Sequence, residues 1–329
     1  MIDFISTFKI ALRSLKINKM RSILTSLGII IGVSAVIIML AVGNGASKRI
    51  SDDMASMGSN LLMIRSGSSN AGGVRGGSGT QPTLTLKDSY AIEDNCSAVA
   101  YVAPYMGEAK QVTYGNQNWA TSAAGTTASY FKIRDWAIKD GRNFTEDDNK
   151  NITKVAIIGN TVAINLFGDV DPMNKTIRIG NVPFKIVGVL ETKGQNGMGQ
   201  DQDDIIFLPI TTAQKKLFGT DFPGMVKLIN VKANSTEELD LAQEQITELL
   251  RVRHHIGKNK DDDFTVRNLT QMMESAKEAT RTMAILLGSI AGVSLLVGGI
   301  GIMNIMLVSV TERTKEIGIR MAKIGRAHV

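Results

Sequence analysis

TMAILLGSIAGVSLLVGGIGIMNIMLVSVT (Thr282–Thr311), followed at once by ERTKEIGIR (Glu312–Arg320), decides the class of this protein. No charged side chain lies between Arg281 and Glu312, and Gly288, Gly292, Gly298, Gly299 and Gly301 punctuate the run. A helix needs roughly 20 apolar residues to cross a bilayer core of about 30 Å, and this run is longer. Core helices of soluble proteins are usually shorter and broken by polar residues. The stretch therefore reads as a transmembrane helix over 282–311 with a charged segment, 312–329, beyond it.

A second uncharged run lies between Arg21 and Lys48, with ILTSLGIIIGVSAVIIMLAV (Ile23–Val42) at its centre. A cleaved signal peptide has an apolar region of only about 7–15 residues behind a short basic leader. Both features are longer here, so 22–47 reads as a retained transmembrane helix. Lys9, Arg13, Lys16, Lys19 and Arg21 precede it, opposed by Asp3 alone, and Arg313, Lys315, Arg320, Lys323 and Arg326 follow the later run. Basic excess marks the cytoplasmic side, so both chain ends are expected inside and 48–281 outside. The leader, 1–21, repeats Phe4, Phe8, Ala11, Leu12 and Leu15 at helical spacing, as a helix lying in the inner headgroup layer does.

Each span contains a GxxxG motif, Gly28–Gly32 and Gly288–Gly292. Such glycines let helix backbones approach closely in lipid, so these four are candidate helix-packing residues. No Asp, Glu, Lys, Arg or His lies inside either span, so an intramembrane ion or proton relay is not supported. Apolar stripes continue past the spans through Val42, Ala46, Ile50, Met54 and Met57, and through Leu269, Met272, Met273, Ala276 and Ala279. They predict a helical stalk.

Between the stalk helices, Leu61–Ile64 reads as a strand and Ser66–Gly79 as a Gly/Ser linker. A helix is expected from Thr85 to Asn95 with Thr85 and Asp88 as its capping pair. Ala98–Val102, Lys110–Tyr114 and Trp119–Ala123 are short strand candidates. Near the other end come a strand over 226–231, a capping box at Ser235–Glu238, a helix with Leu239, Ala242, Ile246, Leu249 and Leu250 on one face, and a strand at Phe264–Val266. Two strand–helix–strand units of this kind pair into one α+β lobe. Between them, about 125–222, β-rich texture with a hairpin turn at Gly180-Asn181 predicts a second, inserted lobe. The fold class expected is a membrane protein: α-helical spans plus a two-lobed α+β extracytoplasmic domain on a helical stalk.

The net charge of +6 sits at the chain ends, and aromatics make up only 5% of residues with none interleaved among the bases, so nucleic-acid binding is excluded. The single cysteine, Cys96, reads as a small buried hydrophobe. There is no GxxxxGK[ST], HExxH, CxxC or GxSxG. His254 and His255 are adjacent and read as the solvated end of a helix. Asp201, Asp203 and Asp204, and Asp261–Asp263, lack the ligand spacing of a calcium loop and read as solvated loops. No catalytic or metal-ligating constellation emerges, so the chain is not expected to be an enzyme.

These segments together resemble the permease subunits of ATP-binding-cassette exporters of the macrolide-exporter (MacB) and FtsX type. The resemblance is carried by ALRSL…NKMRSILT (11–25), LGIIIGV (27–33), MGSNLL (57–62), GRNF (141–144), AIIG…LFG (156–168), KIVGVL (185–190), DDIIFLP (203–209) and, above all, GIGIMNIMLVSVTERTKEIGIR (299–320). It implies four membrane helices per subunit in a homodimer, set in the bacterial inner membrane. It also implies an ABC ATPase partner that binds ATP and magnesium and whose dimerisation is transmitted to the outer domain. In the macrolide-exporter branch a periplasmic adaptor and an outer-membrane channel complete the path. With no P-loop here, no cofactor is expected in this chain. Glu312, Arg313, Lys315, Glu316 and Arg320 are the candidate ATPase-coupling residues. Relatives continue past the EIGIRMA-like segment into further spans, whereas this chain reads KIGRAHV (323–329), so it is expected to be C-terminally truncated. The reading favoured is an exporter of antibiotics, peptides or lipophilic compounds. A mechanical transmitter regulating an envelope enzyme is the alternative. A mere membrane-anchored binding protein would not need the charged segment from Thr311 to Arg320.

Overall fold

A computed structural model describes residues 19–57, 60–67, 82–196, 199–219 and 222–325. The amphipathic leader over 1–18 and most of the Gly/Ser linker lie outside the described residues. The chain divides into two units, Met1–Lys48 with Lys277–Val329, and Arg49–Ala276. The first is helical and the second, the outer unit of the sequence reading, is α+β.

The chain enters through helix α1 (Lys19–Met57) and turns into strand β1 (Leu61–Ser66). Helix α2 (Leu86–Asn95) starts at the expected cap: the Thr85 N–H donates to Asp88 Oδ2 at 2.9 Å and the Asp88 N–H donates back to Thr85 Oγ1 at 3.3 Å. Strand β2 (Val99–Tyr114) is one continuous strand where the sequence suggests two. Pro104 is the reason for the difference, because proline cannot donate to a ladder and normally argues against an inner strand. Here it stands where β2 changes partners, and its carbonyl accepts from Thr126 Oγ1 at 2.9 Å.

Past Pro104 the chain builds a lobe of its own. Strand β3 (Gln117–Thr126) pairs back on β2 from Met106↔Gly125 to Tyr114↔Gln117. The inserted lobe thus begins within β2 and not near residue 125. Short helix α3 (Ser129–Ile133), strand β4 (Ile138–Gly141), and helix α4 (Glu146–Lys150), capped by a second Thr–Asp box at Thr145 and Asp148, follow. Then come β5 (Val155–Ile158), helix α5 (Asn160–Phe167), β6 (Thr176–Ile179), β7 (Val182–Leu190) and β8 (Ile205–Pro209). The β6–β7 hairpin turns at Gly180-Asn181 as the sequence predicts, with Gly180 at φ +56°. β6 also pairs with the far end of β2, so β2-β3-β8-β5-β7-β6 closes on itself as a six-stranded barrel, and β4 adds to β7. Val112, Ile158, Ile177, Phe184, Ile186, Ile206 and Leu208 fill its interior. In the acidic loop before β8, Asp201 is exposed as expected, but Asp203 and Asp204 are structural. Buried Asp203 accepts from the backbone N–H groups of Lys193 (2.9 Å) and Gly194 (2.8 Å), and Asp204 from Trp119 Nε1 (2.8 Å). Helix α6 (Ile210–Thr212) leads into a π-helical segment, Ala213–Phe218.

The chain then returns to the first lobe with β9 (Leu228–Ala233), helix α7 (Leu239–Arg253) and β10 (Phe264–Asn268). The antiparallel order β10-β1-β9-β2, with α2 and α7 on one face, is a ferredoxin-like arrangement. Leu239, Ala242, Ile246 and Leu250 are buried as their spacing predicts. The capping box at Ser235–Glu238 does not form. Glu238 itself is the cap residue, without a side-chain cap bond, while Thr236 Oγ1 donates to Asn60 Oδ1 at 2.5 Å. A third cluster, Leu61, Ala103, Tyr130, Phe131, Ile157 and Phe207 among it, joins sheet and barrel. From Asn268 the chain passes directly into helix α8 (Leu269–Gly325), 57 residues long. Both α1 and α8 are long and apolar enough to cross a membrane.

Candidate functional site

Within the helical unit, α1 and α8 pack antiparallel along a seam of small residues. A Cβ placed on Gly32 would lie 3.1 Å from Leu295 Cδ1, one on Gly288 3.4 Å from Met39 Cε, and one on Gly43 3.4 Å from Ala284 Cβ. Each step forward along α1 is matched by an equal step back along α8. Half-buried Val36 and buried Ala291 fall in the same register. The α8 positions 284, 288, 291 and 295 advance by four, three and four, the heptad spacing that supercoils two helices left-handedly. Each layer sets a small residue against its neighbour, which is how helices approach closely.

Of the four glycines proposed from sequence, Gly32 and Gly288 face the opposite helix. Gly292 has nothing within 4 Å, because it lies one residue, about 100° of helix rotation, beyond Ala291. The surroundings of Gly28 lie outside the described residues. Gly43, Ala284 and Ala291 are seam residues that the GxxxG spacing misses; small residues at alternating fours and threes are the signal that marks them. Outside the seam both helices present large apolar side chains outward, Ile37, Ile38, Leu286, Ile290 and Leu296 among them. Serine and threonine hydroxyls turn inward: Ser289, Ser294 and Thr314 each donate to the carbonyl four residues back, at 2.8–2.9 Å.

The five candidate coupling residues lie on the last turns of α8. Glu316 is bracketed by Arg313 at 3.2 Å and Arg320 at 2.6 Å. Glu312 and Lys315 are exposed, and exposed Ile317, Ile319 and Met321 stand among the charges. Exposed pairs at this spacing add only about 0.3–0.5 kcal/mol each to a helix. Their value lies in the surface they present: alternating charge with apolar side chains between.

A second charged constellation lies in the outer unit and corrects the expectation for His254 and Asp263. The His254 side chain is buried, with Nδ1 2.8 Å from Asp263 Oδ1 and Nε2 3.3 Å from Asp88 Oδ2. Arg253 Nε donates to Asp88 Oδ1 at 2.8 Å, and Arg251 pairs with Asp262. The hydrogen bond to Asp88 raises the His254 pKa above its usual 6.5, burial opposes it, and Asp263 adds to the rise. Burial pushes the Asp88 carboxyl up, but hydrogen bonds from His254, Arg253 and Thr85 outweigh it and hold the pKa well below its usual 3.8. The network fastens the start of α2 to the end of α7 and the approach to β10. Among the described residues no cluster of His, Cys, Asp or Glu is placed to hold a metal ion.

The chain and its fold have counterparts among known proteins. Residues 22–249 match the profile of the MacB-like periplasmic core domain. The macrolide export ATP-binding/permease protein MacB of Bdellovibrio bacteriovorus is 42% identical over 94% of this chain, and that of Wolinella succinogenes is 41% identical over 99%. The alignments cover 47% and 49% of those proteins, so the chain spans about half the length of the curated relatives it matches. Among solved structures, the periplasmic region of MacB from Actinobacillus actinomycetemcomitans superposes with a TM-score of 0.55 at 21% identity, covering 69% of this chain and 97% of that one. At that identity the likeness shows the fold alone. On the profile match and on relatives at 41–42% identity along nearly its whole length, the chain belongs to the MacB-like family of ABC permeases.

Proposed function

We propose that this chain is the permease part of an ATP-driven exporter. ATP hydrolysis by a partner subunit or segment moves the outer unit and drives export of antibiotics, peptides or lipophilic compounds. The observation that carries this reading is α8: one uninterrupted helix runs from the edge strand of the outer unit through the apolar stretch to the charged turns. Its 57 residues are far more than the 20 or so that cross a bilayer core, so helical residues remain beyond the apolar stretch on both sides. The outward apolar faces of α1 and α8 suit lipid, and a soluble core helix would have buried them. The basic flanks support a topology with both ends in the cytoplasm of a bacterium and the outer unit beyond its inner membrane.

ATP and magnesium belong to the partner, since no stretch of these 329 residues offers a glycine-rich loop closing on Lys-Ser or Lys-Thr. The relatives' name, ATP-binding/permease protein, fits such a division of labour. Asn304 supports a homodimer. Its exposed amide has no hydrogen-bond partner among the described residues and sits in the apolar stretch, where a second copy could satisfy it. An adaptor and an outer-membrane channel would extend the path.

The test is co-purification of the complete gene product with the candidate ATPase and measurement of ATP turnover with candidate substrates. Stimulated turnover supports the reading, and failure to bind any ATPase defeats it. Glu312→Lys with Glu316→Lys is expected to weaken the association roughly tenfold, about 1.4 kcal/mol. Unaltered association would remove the charged turns as the docking surface.

A further inference from the structure

We propose that the mouth of the α1–α8 seam, at its Lys277 end, holds the phosphate headgroup of an anionic phospholipid. The proposal rests on the membrane reading above. The alternating fours and threes of the seam, carried back from Ala284, fall on Arg281 and then Lys277. The deeper layers use Ala284, Gly288 and Ala291 at these positions. At the mouth, two cations one helical turn apart replace them.

The two helices part there around a cavity of about 190 Å³. Met39, Gly43 and Ala284 form its apolar floor, and Asn44, Lys277 and Arg281 stand at its polar rim. Gly43 keeps the floor open, because nothing projects from α1 toward the Ala284 methyl. Among the described residues no carboxylate lines the cavity, and neither Lys277 nor Arg281 has an ion-pair partner.

The chemistry of the cavity selects its occupant. A guanidinium can take two phosphate oxygens at once, and a neighbouring ammonium adds a point charge. The Asn44 amide can donate a further hydrogen bond. At the boundary of an apolar span, long cationic side chains reach to headgroup level. The floor beneath them takes the first carbons of an acyl chain. A zwitterionic headgroup brings its own ammonium toward the two cations and is disfavoured, so the site prefers a lipid with net negative charge. Held there, the headgroup fixes the depth of α8 in the outer leaflet.

The test assembles the full gene product in nanodiscs of phosphatidylcholine with and without phosphatidylglycerol and counts retained lipids by native mass spectrometry. The wild type is expected to retain phosphatidylglycerol at least about tenfold more tightly than phosphatidylcholine. The Lys277→Gln/Arg281→Gln variant should lose that preference, Lys277→Arg/Arg281→Lys should keep most of it, and Lys315→Gln at the charged turns should leave it unchanged. A wild type without preference, or a double Gln variant that keeps it, overturns the proposal. Displacement of the lipid by millimolar inorganic phosphate would make this a site for free phosphate and overturn the lipid assignment. A protein that does not enter the bilayer defeats the membrane reading and this proposal together. One that enters and shows no preference defeats the headgroup site alone.

Discussion

His254 joins residues far apart in sequence, and its partners give it a pH dependence with a definite sign. Its pKa in the folded unit lies above 6.5, so its contribution to stability is complete below about 6.5 and is lost as the pH rises through the raised value. Asp88 works in the opposite sense: its contribution is present above 3.8 and disappears as the pH falls through its depressed value. The urea midpoint of the outer unit is therefore expected to fall as the pH rises above about 6.5, and His254→Gln should flatten that fall. Equal slopes for the two proteins would show that His254 does not titrate against Asp88 and Asp263. Asp88→Ala removes a helix cap and strands two cationic partners, at a cost of about 3 kcal/mol, readable as faster amide exchange along α2. The Thr85–Asp88 cap was legible in the sequence because it is a local motif of three residues' reach. The histidine was not: Asp88 lies 166 positions away, and two adjacent histidines in a polar stretch look like a solvated helix end.

For the helices, sequence marked the glycines but chose the wrong repeat for one of them. GxxxG looks four residues ahead, whereas the seam advances by seven, so Gly288 belongs to it and Gly292 does not. The missing information was the register of two segments separated by the whole outer unit, which no local pattern carries. That register is directly testable. A Cβ on Gly43 stands 3.4 Å from the Ala284 Cβ, close to the 3.5–4.5 Å or so that spans a disulfide. Gly43→Cys/Ala284→Cys should cross-link under mild oxidation, detected by peptide mass. Gly45→Cys, at a position with nothing within 4 Å, should not cross-link with Ala284→Cys. The native Cys96 is buried and adds little background. Cross-linking of the Gly45 pair in place of the Gly43 pair would mean that α1 is rotated from the register described. Strand β2 shows the same limit in another form. Its halves were visible, but their continuity through Pro104 depends on a change of partner that only the tertiary structure supplies.

For the whole molecule, the two-lobed outer unit was legible because each strand–helix–strand piece carries its own periodicity. The barrel's closure was not, since it rests on the short pairing of Val112 and Thr113 with Ile179 and Arg178. Sheet and barrel are held together by the cluster around Phe207, whose side chain is fully buried against Tyr130, Phe131 and Trp136. Phe207→Ala is expected to destabilise the outer unit by about 3–5 kcal/mol and to lower the transitions of both lobes together. Separate transitions followed by tryptophan fluorescence and by amide exchange in α7 would show that the lobes unfold independently. One pairing reaches beyond stability. β1, the first strand of the outer unit, and β10, the last, are bonded side by side from Leu62↔Asn268 to Ser66↔Phe264. Paired strands run about 5 Å apart, so the domain begins and ends at nearly one point. It is a cassette with a narrow footprint. A different domain whose ends meet as closely could be spliced between α1 and α8 without disturbing their register, and the helical unit can serve as a common chassis for unlike outer modules.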